Sequence, residues 1–241
     1  MLPTRRAARS PILGESKRTP GSSRIFNHAD NIEGWMREDH EDKWGFVIYR
    51  CTYSNDSDWQ IFLDRYTHFM RNTLEFYNGL EIFDRLDITV IEDQQTLQGA
   101  SSAAVREHFK AWSDEHYPER SNDPWYNNQR VKYCICVDEA CLRSVAKVAQ
   151  YIRGRDRGGG FVDLVWKNWV FSKREDEEGE LEGREPIGGV KAKDVGFMHV
   201  TLDFVVGIWC HLRYEDVWED EYRRPPYGAD GDVGREYLCA D

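Results

Sequence analysis

The stretch KYCICVDEACL, residues 132–142, has the pattern of a buried strand that runs directly into a helix. The short apolar run up to position 137 is typical of a strand covered on both faces. Asp138 then stands where a helix N-cap is expected, and apolar residues recur at three- and four-residue spacing through residue 152. This strand–helix unit predicts a mixed fold, and the segments on either side of it indicate which one.

Three cysteines within this stretch raise the question of a metal site or a disulfide. Cys134 and Cys136 lie about 6 to 7 Å apart on one side of a strand, which is too far for a disulfide. Cys136 and Cys141 have a permissive zinc spacing, but no second His or Cys pair completes the site. We therefore expect reduced packing cysteines, no metal and no cofactor. Cys141, near a helix N-terminus, is the candidate for a reactive thiol, although Asp138 and Glu139 oppose that reactivity.

Similar strand and helix patterns occur on both sides of this unit. The segment at residues 54–76 has the clearest amphipathic helix pattern, with Ser57 or Asp58 as its N-cap and Phe62 on its apolar face. A second helix is predicted at 99–118, capped by Ser101 or Ser102. Further strands are predicted in KWGFVIYRCTY (43–53), RLDITVIED (85–93), GFVDLVW (160–166) and VGFMHVTLDF (195–204).

This order of elements predicts an α+β fold, specifically a ferredoxin-like split β-α-β sheet with an inserted helix and an extra C-terminal strand. Right-handed crossovers would place the first and third helices on one sheet face and leave the other face open. A doubly wound sheet is the alternative, but no phosphate-binding turn follows the first strand. We expect residues 1–40 to form a disordered basic tail, 41–241 a single α+β domain, and the charged stretch 172–189 a flexible loop.

Charge is unevenly distributed along the 241 residues. Residues 1–24 carry a formal charge of +5, so the rest of the chain carries −16 within a total of −11. A body this acidic repels phosphate backbones and anionic membranes, and no apolar run approaches the roughly 20 residues of a transmembrane helix. We therefore expect no nucleic-acid or membrane partner and a cytoplasmic location. The arginine-rich N-terminus leaves mitochondrial import open, although its prolines disfavour the helix that import requires.

Three blocks of sequence carry a family resemblance: WGFVIYRCTYSNDSDWQIFLDRY from residue 44, LDITVIEDQQTLQGASSAAVREHFKAW from residue 86, and EYRRPP from residue 221. Over about residues 44–226 the chain resembles a family of uncharacterised proteins of filamentous fungi. The resemblance implies a fungal, intracellular protein. It implies no activity, and it identifies no catalytic residue.

A few polar residues interrupt the apolar strands, where they would line a pocket on an open sheet face. His199 and Asp203 fall on one side of the fifth strand, and Asp163 interrupts the fourth. His199 and Asp163 are the catalytic candidates, as an acid–base pair, while Tyr49, Arg50 and Asp203 are candidates for binding. Tyr49 and Arg50 are adjacent and face opposite ways, so at most one of them lines such a pocket. The alternative is a solvated sheet face with a salt bridge.

Other motifs have two interpretations each. RGRDRGGGF (153–161) is either a phosphate cradle or a glycine-capped helix end before a strand. YRRPPYG (222–228) is either a docking segment or a tail strapped onto its own domain. The tryptophans of the second half either bury core or line a groove, and they are Trp125, Trp166, Trp169, Trp209 and Trp218.

Two classes of function follow from these patterns. The first is a non-catalytic intracellular binding or scaffolding module, because no nucleophile–base pair, metal set or cofactor loop is recognisable. The second is a cofactor-independent enzyme that acts on a small aromatic or polyketide-like metabolite in a sheet-face pocket. The partner would be a protein or a small molecule, and a homodimer is left open.

Overall fold

A computed structural model describes residues 18–20, 27–123, 125–151, 160–214 and 216–228. Within them the chain has the expected α+β fold, built on one five-stranded mixed sheet. The strands are β1 Val47–Arg50, β2 Val90–Ile91, β3 Tyr133–Val137, β4 Phe161–Trp166 and β5 Phe197–Thr201. The α-helices are α1 His28–Glu38, α2 Asp56–Phe76, α3 Gln94–Leu97, α4 Ser102–His116, α5 Gln129–Lys132, α6 Glu139–Tyr151, α7 Lys173–Leu181, α8 Val205–His211 and α9 Asp216–Glu221. Two 3₁₀ helices span Leu80–Arg85 and Leu202–Phe204.

The strand order is β2-β1-β3-β4-β5, which differs from the split β-α-β arrangement that the sequence suggested. A split arrangement separates two parallel strands by a third, whereas β1 is hydrogen-bonded directly to β2 and runs parallel to both β2 and β3. Strands β4 and β5 then continue the sheet in antiparallel pairs. The ferredoxin-like detail was wrong because strand order depends on pairing between distant segments, which local periodicity does not specify.

Helices cover both faces of this sheet. On the first face, α2 and α6 lie against each other, as expected, and they share one core with α1 and α8. The crossover rule accounts only for α2, since α6 joins the antiparallel strands β3 and β4. On the second face, α4 packs Val105, Phe109 and Trp112 onto side chains of β1, β3 and β4. The expectation of an open sheet face was therefore wrong, because the amphipathic stripe of α4 is buried against it. The connection from β1 to β2 passes over one face and that from β2 to β3 over the other.

Local sequence signals account for the start of these helices. Ser101 caps α4 by accepting a hydrogen bond from Ala104 N, and Asp138 accepts one from Cys141 N at the start of α6, as expected. The cap of α2 is Asn55, which accepts from the backbone of Ser57 and Asp58, rather than either of those residues. Asn, Asp and Ser are all favoured N-cap residues, so residue type did not indicate which of Asn55, Ser57 and Asp58 precedes the helix.

Two predicted flexible regions contain packed helices. Helix α1 lies inside the expected tail, and its residues Ala29, Ile32 and Met36 are buried in the main core, so the packed part of the chain begins before residue 41. Helix α7 lies inside the expected charged loop. Its Gly179 touches the backbone of Lys191 so closely that a Cβ there would overlap the Lys191 carbonyl oxygen. Helix α7 was missed because its charged composition concealed the packing position at Gly179.

The remaining expectations concern compartment and tail. None of the described helices is long and apolar enough to cross a membrane. The described residues do not include 1–17 and 21–26 of the expected tail. They also do not include residues 152–159, which contain most of the arginine–glycine stretch. The segment at 222–228 is strapped onto its own domain, since Arg224 donates hydrogen bonds to the backbone carbonyls of Glu185, Val190 and Ala192.

Candidate functional site

The two catalytic candidates lie side by side on β4 and β5. Asp163 and His199 are direct cross-strand partners, and Nδ1 of His199 is 2.7 Å from Oδ1 of Asp163. Their side chains are 8% and 12% exposed, so neither lies on a solvated sheet face. The sheet register thus brings together two residues that are 36 positions apart in the chain.

The histidine is held in one orientation by this contact. An ionised Asp163 accepts the Nδ1 proton, which leaves Nε2 of a neutral His199 as the acceptor nitrogen. Nε2 forms no hydrogen bond within the described part of the chain. The ring of Phe161 lies 4.3 Å from the imidazole, centroid to centroid, and flanks it with apolar surface. Such a histidine has the geometry of a general base.

This arrangement is electrostatically unfavourable for Asp163, because its carboxylate is buried. Burial raises the pKa of Asp163, and the hydrogen bond from His199 lowers it only in part. Asp138 and Cys141 lie beside it, and one ligand atom from each of the three residues falls within 4.8 Å of the others. These three side chains could contact one metal ion, but Asp138 already caps α6 and His199 already binds Asp163. Burial raises the pKa of the Cys141 thiol well above its usual range, which argues against a reactive thiolate.

The cysteines of the opening stretch are packing residues. The five described cysteines are free and buried. Sγ of Cys136 lies 3.5 Å from Sγ of Cys51, which directly follows β1. Cys239 lies outside the described residues.

The binding candidates are not assembled around this pair. Tyr49 shares the sheet face and the cross-strand row of Asp163, but Cys136 lies between them and the Tyr49 hydroxyl is bonded to His108. Arg50 lies on the other face, where it binds Asp56 and Glu92. Asp203 is outside β5, because the strand ends at Thr201 and a 3₁₀ turn carries Asp203 into solvent. The structure therefore brings together His199 and Asp163 and places Tyr49, Arg50 and Asp203 apart from them.

A cavity of about 570 Å³ lies elsewhere, between the end of β4, helix α7 and helix α9. We call it the tryptophan groove and define it by Trp166, Trp169, Glu175, Asp194, Glu219 and Tyr222. Its volume is within the range of ligand sites in proteins. Val170 and Phe171, at its edge, are 80% and 49% exposed. The groove thus combines aromatic walls, carboxylates and an exposed apolar edge.

Two buried polar groups position the walls of the tryptophan groove. The Asp194 carboxylate accepts hydrogen bonds from Gly196 N at 2.6 Å and from Trp218 Nε1 at 2.8 Å. The Tyr222 hydroxyl accepts from Val195 N. By contrast, Nε1 of Trp166 is shielded from solvent and has no acceptor among the residues that the structure describes. Buried donors without partners are rare, so this one needs an explanation.

The sequence indicated part of this groove. The tryptophan pattern predicted core or groove positions, and the structure divides them: Trp209 and Trp218 are buried in the core, while Trp166 and Trp169 line the groove. Trp125 is 86% exposed and lies elsewhere, beside a smaller cavity. Glu175 was missed because α7 was expected to be a loop, whereas Asp194 and Glu219 lie outside α7 and reach the groove only through the packing of distant segments. A third cavity, of about 540 Å³, lies beside Arg130 and Trp112. Arg130 is buried and donates its hydrogen bonds to groups of the protein itself.

Comparison of the chain with protein-family models, with curated proteins and with solved structures found no match.

Proposed function

We propose that the protein is a non-catalytic intracellular binding module, and that the tryptophan groove is its binding site. The observation that supports this proposal is the pairing of two tryptophan walls with the exposed Val170 and Phe171 at the edge of one cavity. Exposed clusters of large apolar side chains are uncommon on proteins without a partner and mark interaction sites. Aromatic residues are also enriched at the centres of interfaces.

The unsatisfied Trp166 donor supports the same proposal. A ligand carbonyl that reached Nε1 after a small shift of the groove wall would supply the missing acceptor. The free, buried cysteines are typical of a reducing compartment, which supports a cytoplasmic protein. The filamentous-fungal family that the sequence blocks resemble remains our proposal for its origin.

The binding proposal is tested with a library of short peptides and the indole N–H resonances of the intact protein. We expect ligands to shift the Trp166 and Trp169 signals and to leave the exposed Trp125 signal unchanged. Val170→Asn should abolish those shifts without changing the melting temperature, because Val170 is exposed and lies at the edge of the groove and the variant removes apolar surface without adding charge. Shifts at Trp125 alone, or shifts that persist in the variant, would contradict the proposal.

The Asp163–His199 pair favours a second candidate, a cofactor-independent enzyme that abstracts a proton from an aromatic or polyketide-like substrate. The supporting observation is that Asp163 orients His199 and leaves Nε2 without a partner. An aromatic β-diketone in D₂O is a suitable probe, because a general base exchanges its α protons for deuterium. This candidate predicts exchange by the wild type that His199→Gln abolishes and His116→Gln preserves. Equal exchange by both variants would exclude His199 as the base.

A further inference from the structure

We infer that the tryptophan groove binds a basic segment of a partner protein, in which a lysine or arginine side chain lies among the carboxylates of the groove. This inference rests on the proposed binding function and goes further by naming the chemistry of the ligand. It is carried by the charges that line the groove and by the way those charges are paired.

The groove carries carboxylates without cationic partners. Glu175, Asp194 and Glu219 form no ion pair with any described residue, although all three line the cavity. Asp194 is bonded only to neutral donors, the Gly196 backbone and the Trp218 indole. Burial raises the pKa of Asp194, so the groove partly desolvates a carboxylate without neutralising it. A cation from a ligand would offset that cost.

The cations that line the groove do not change this balance. Arg184 is paired with Glu182, and Glu178 of the groove is paired with Arg174; neither Glu182 nor Arg174 lines the cavity. Among the residues that line the cavity, only Lys193 remains against the three unpaired carboxylates. The buried Arg106, beneath Trp169, also attracts Asp194 but does not contact its carboxylate, so it reduces the acidic charge at Asp194 and leaves that at Glu175 and Glu219. The acidic charge of the whole chain, −11, adds a long-range attraction for basic partners.

The apolar parts of the groove suit the rest of such a segment. Lysine and arginine carry long apolar stems, which pack on aromatic walls while the charged end reaches a carboxylate. Arg106 shows the aromatic part of this mode within the protein: its guanidinium lies 4.7 Å from the centroid of the Trp169 ring and donates to the backbone carbonyls of Trp166 and Gly196. The exposed Val170 and Phe171 then offer a surface to apolar residues beside the basic one. An anionic ligand would meet repulsion, and a purely apolar ligand would bury carboxylates without compensation.

The test uses the full chain and three capped peptides of equal length: alternating lysine and leucine, glutamate and leucine, and glutamine and leucine. Calorimetric titration at low salt should show that the lysine peptide binds most tightly, with an affinity that falls as salt is added. The double variant Glu175→Gln/Glu219→Gln should weaken this binding about three- to tenfold, as expected for two solvent-screened ion pairs. The double variant Glu177→Gln/Glu185→Gln removes the same charge outside the groove and should change the affinity less than twofold.

The outcomes separate this inference from the function on which it rests. If the glutamine or glutamate peptide binds as tightly as the lysine peptide and still shifts the Trp166 signal, the groove binds ligands but the inferred charge of the ligand is wrong. If the two double variants weaken the lysine peptide equally, the attraction is a diffuse surface effect and the inference is overturned. If no peptide binds, the inference and the proposed function both fail.

Discussion

Oδ1 of Asp163 and Nδ1 of His199 lie 2.7 Å apart, across the neighbouring strands β4 and β5. The contact holds a carboxylate in a buried position, where its ionised form is costly. His199 offsets only part of this cost, since the pKa of Asp163 is raised despite the hydrogen bond. The pair therefore affects stability as well as any chemistry at Nε2.

A raised pKa for Asp163 predicts a particular pH dependence. Its stabilising contribution is complete below the unfolded-state pKa, about 3.8, and is lost as pH rises through the higher pKa of the folded state. Asp163→Asn cannot ionise, so we expect the free energy of unfolding of the wild type, minus that of the variant, to fall as pH rises from 4 to 7. Urea unfolding at several pH values measures this difference, with the exposed Asp203→Asn as a control. A difference that grows with pH would show that His199 lowers the pKa of Asp163.

The core assignment predicts a ranking of two variants. Phe62 is fully buried in the core between α2 and the sheet, as expected, and stacks on Trp59 with ring centroids 5.0 Å apart. Phe62→Ala should cost about 3 to 5 kcal/mol, because it leaves a cavity. His199→Ala should cost about 1 to 3 kcal/mol, because it leaves Asp163 buried without its partner. Thermal melts of both variants test this ranking, and an equal or larger loss for His199→Ala would contradict it.

Hydrogen bonds between the residues that follow β1 and the start of α6 predict that the protein loses stability at low pH. Glu139 accepts hydrogen bonds from Ser54 Oγ and Thr52 Oγ1, and these bonds, with Arg143, lower the pKa of Glu139 to about 2. Its contribution is present above the usual glutamate pKa and is lost as pH falls from about 4.5 to 2. Since Glu139 is 41% exposed, solvent screening limits the effect of Glu139→Gln to about 1 kcal/mol at pH 7.

Chemical unfolding of Glu139→Gln at pH 7 and pH 3 measures that contribution. The destabilisation should be smaller at pH 3, because below about 4.5 the unfolded chain binds a proton at Glu139, whereas the folded state, with a pKa of about 2, stays largely ionised. The exposed Glu177→Gln is the matched control and should show no such change. A constant difference between the two pH values would mean that Glu139 contributes through shape rather than charge.

The packed N-terminal helix predicts that residues assigned to the tail are required for stability. Arg213 binds both carboxylate oxygens of Asp39, at 2.6 and 2.7 Å, and both side chains are buried. Removing one partner leaves the other charge buried and unpaired, so Arg213→Met should cost about 3 to 5 kcal/mol. The double variant Asp39→Leu/Arg213→Met should recover part of this loss in a double-mutant cycle. Additive losses would show that the pair is not coupled.

Local patterns in the sequence determined much of the architecture. Short apolar runs marked the strands, three- and four-residue spacing marked α2, α4 and α6, and short polar residues marked the caps of α4 and α6. These features depend on contacts between near neighbours in the chain, and the sequence specifies such contacts directly. The burial of Phe62 and the placement of α2 on the first face followed from the same patterns and from crossover handedness.

Only the tertiary structure decided the strand order, the covered second face and the sites. The pairing of β1 with both β2 and β3 joins segments more than 40 residues apart, and many such pairings satisfy the same periodicity. Asp163 and His199 meet because the β4–β5 register aligns them. Asp203 does not join them, because the strand ends two residues earlier. The tryptophan groove forms where α7, α9 and the loop before β5 converge. A site of this kind depends on the relative position of distant elements, and their packing sets that position.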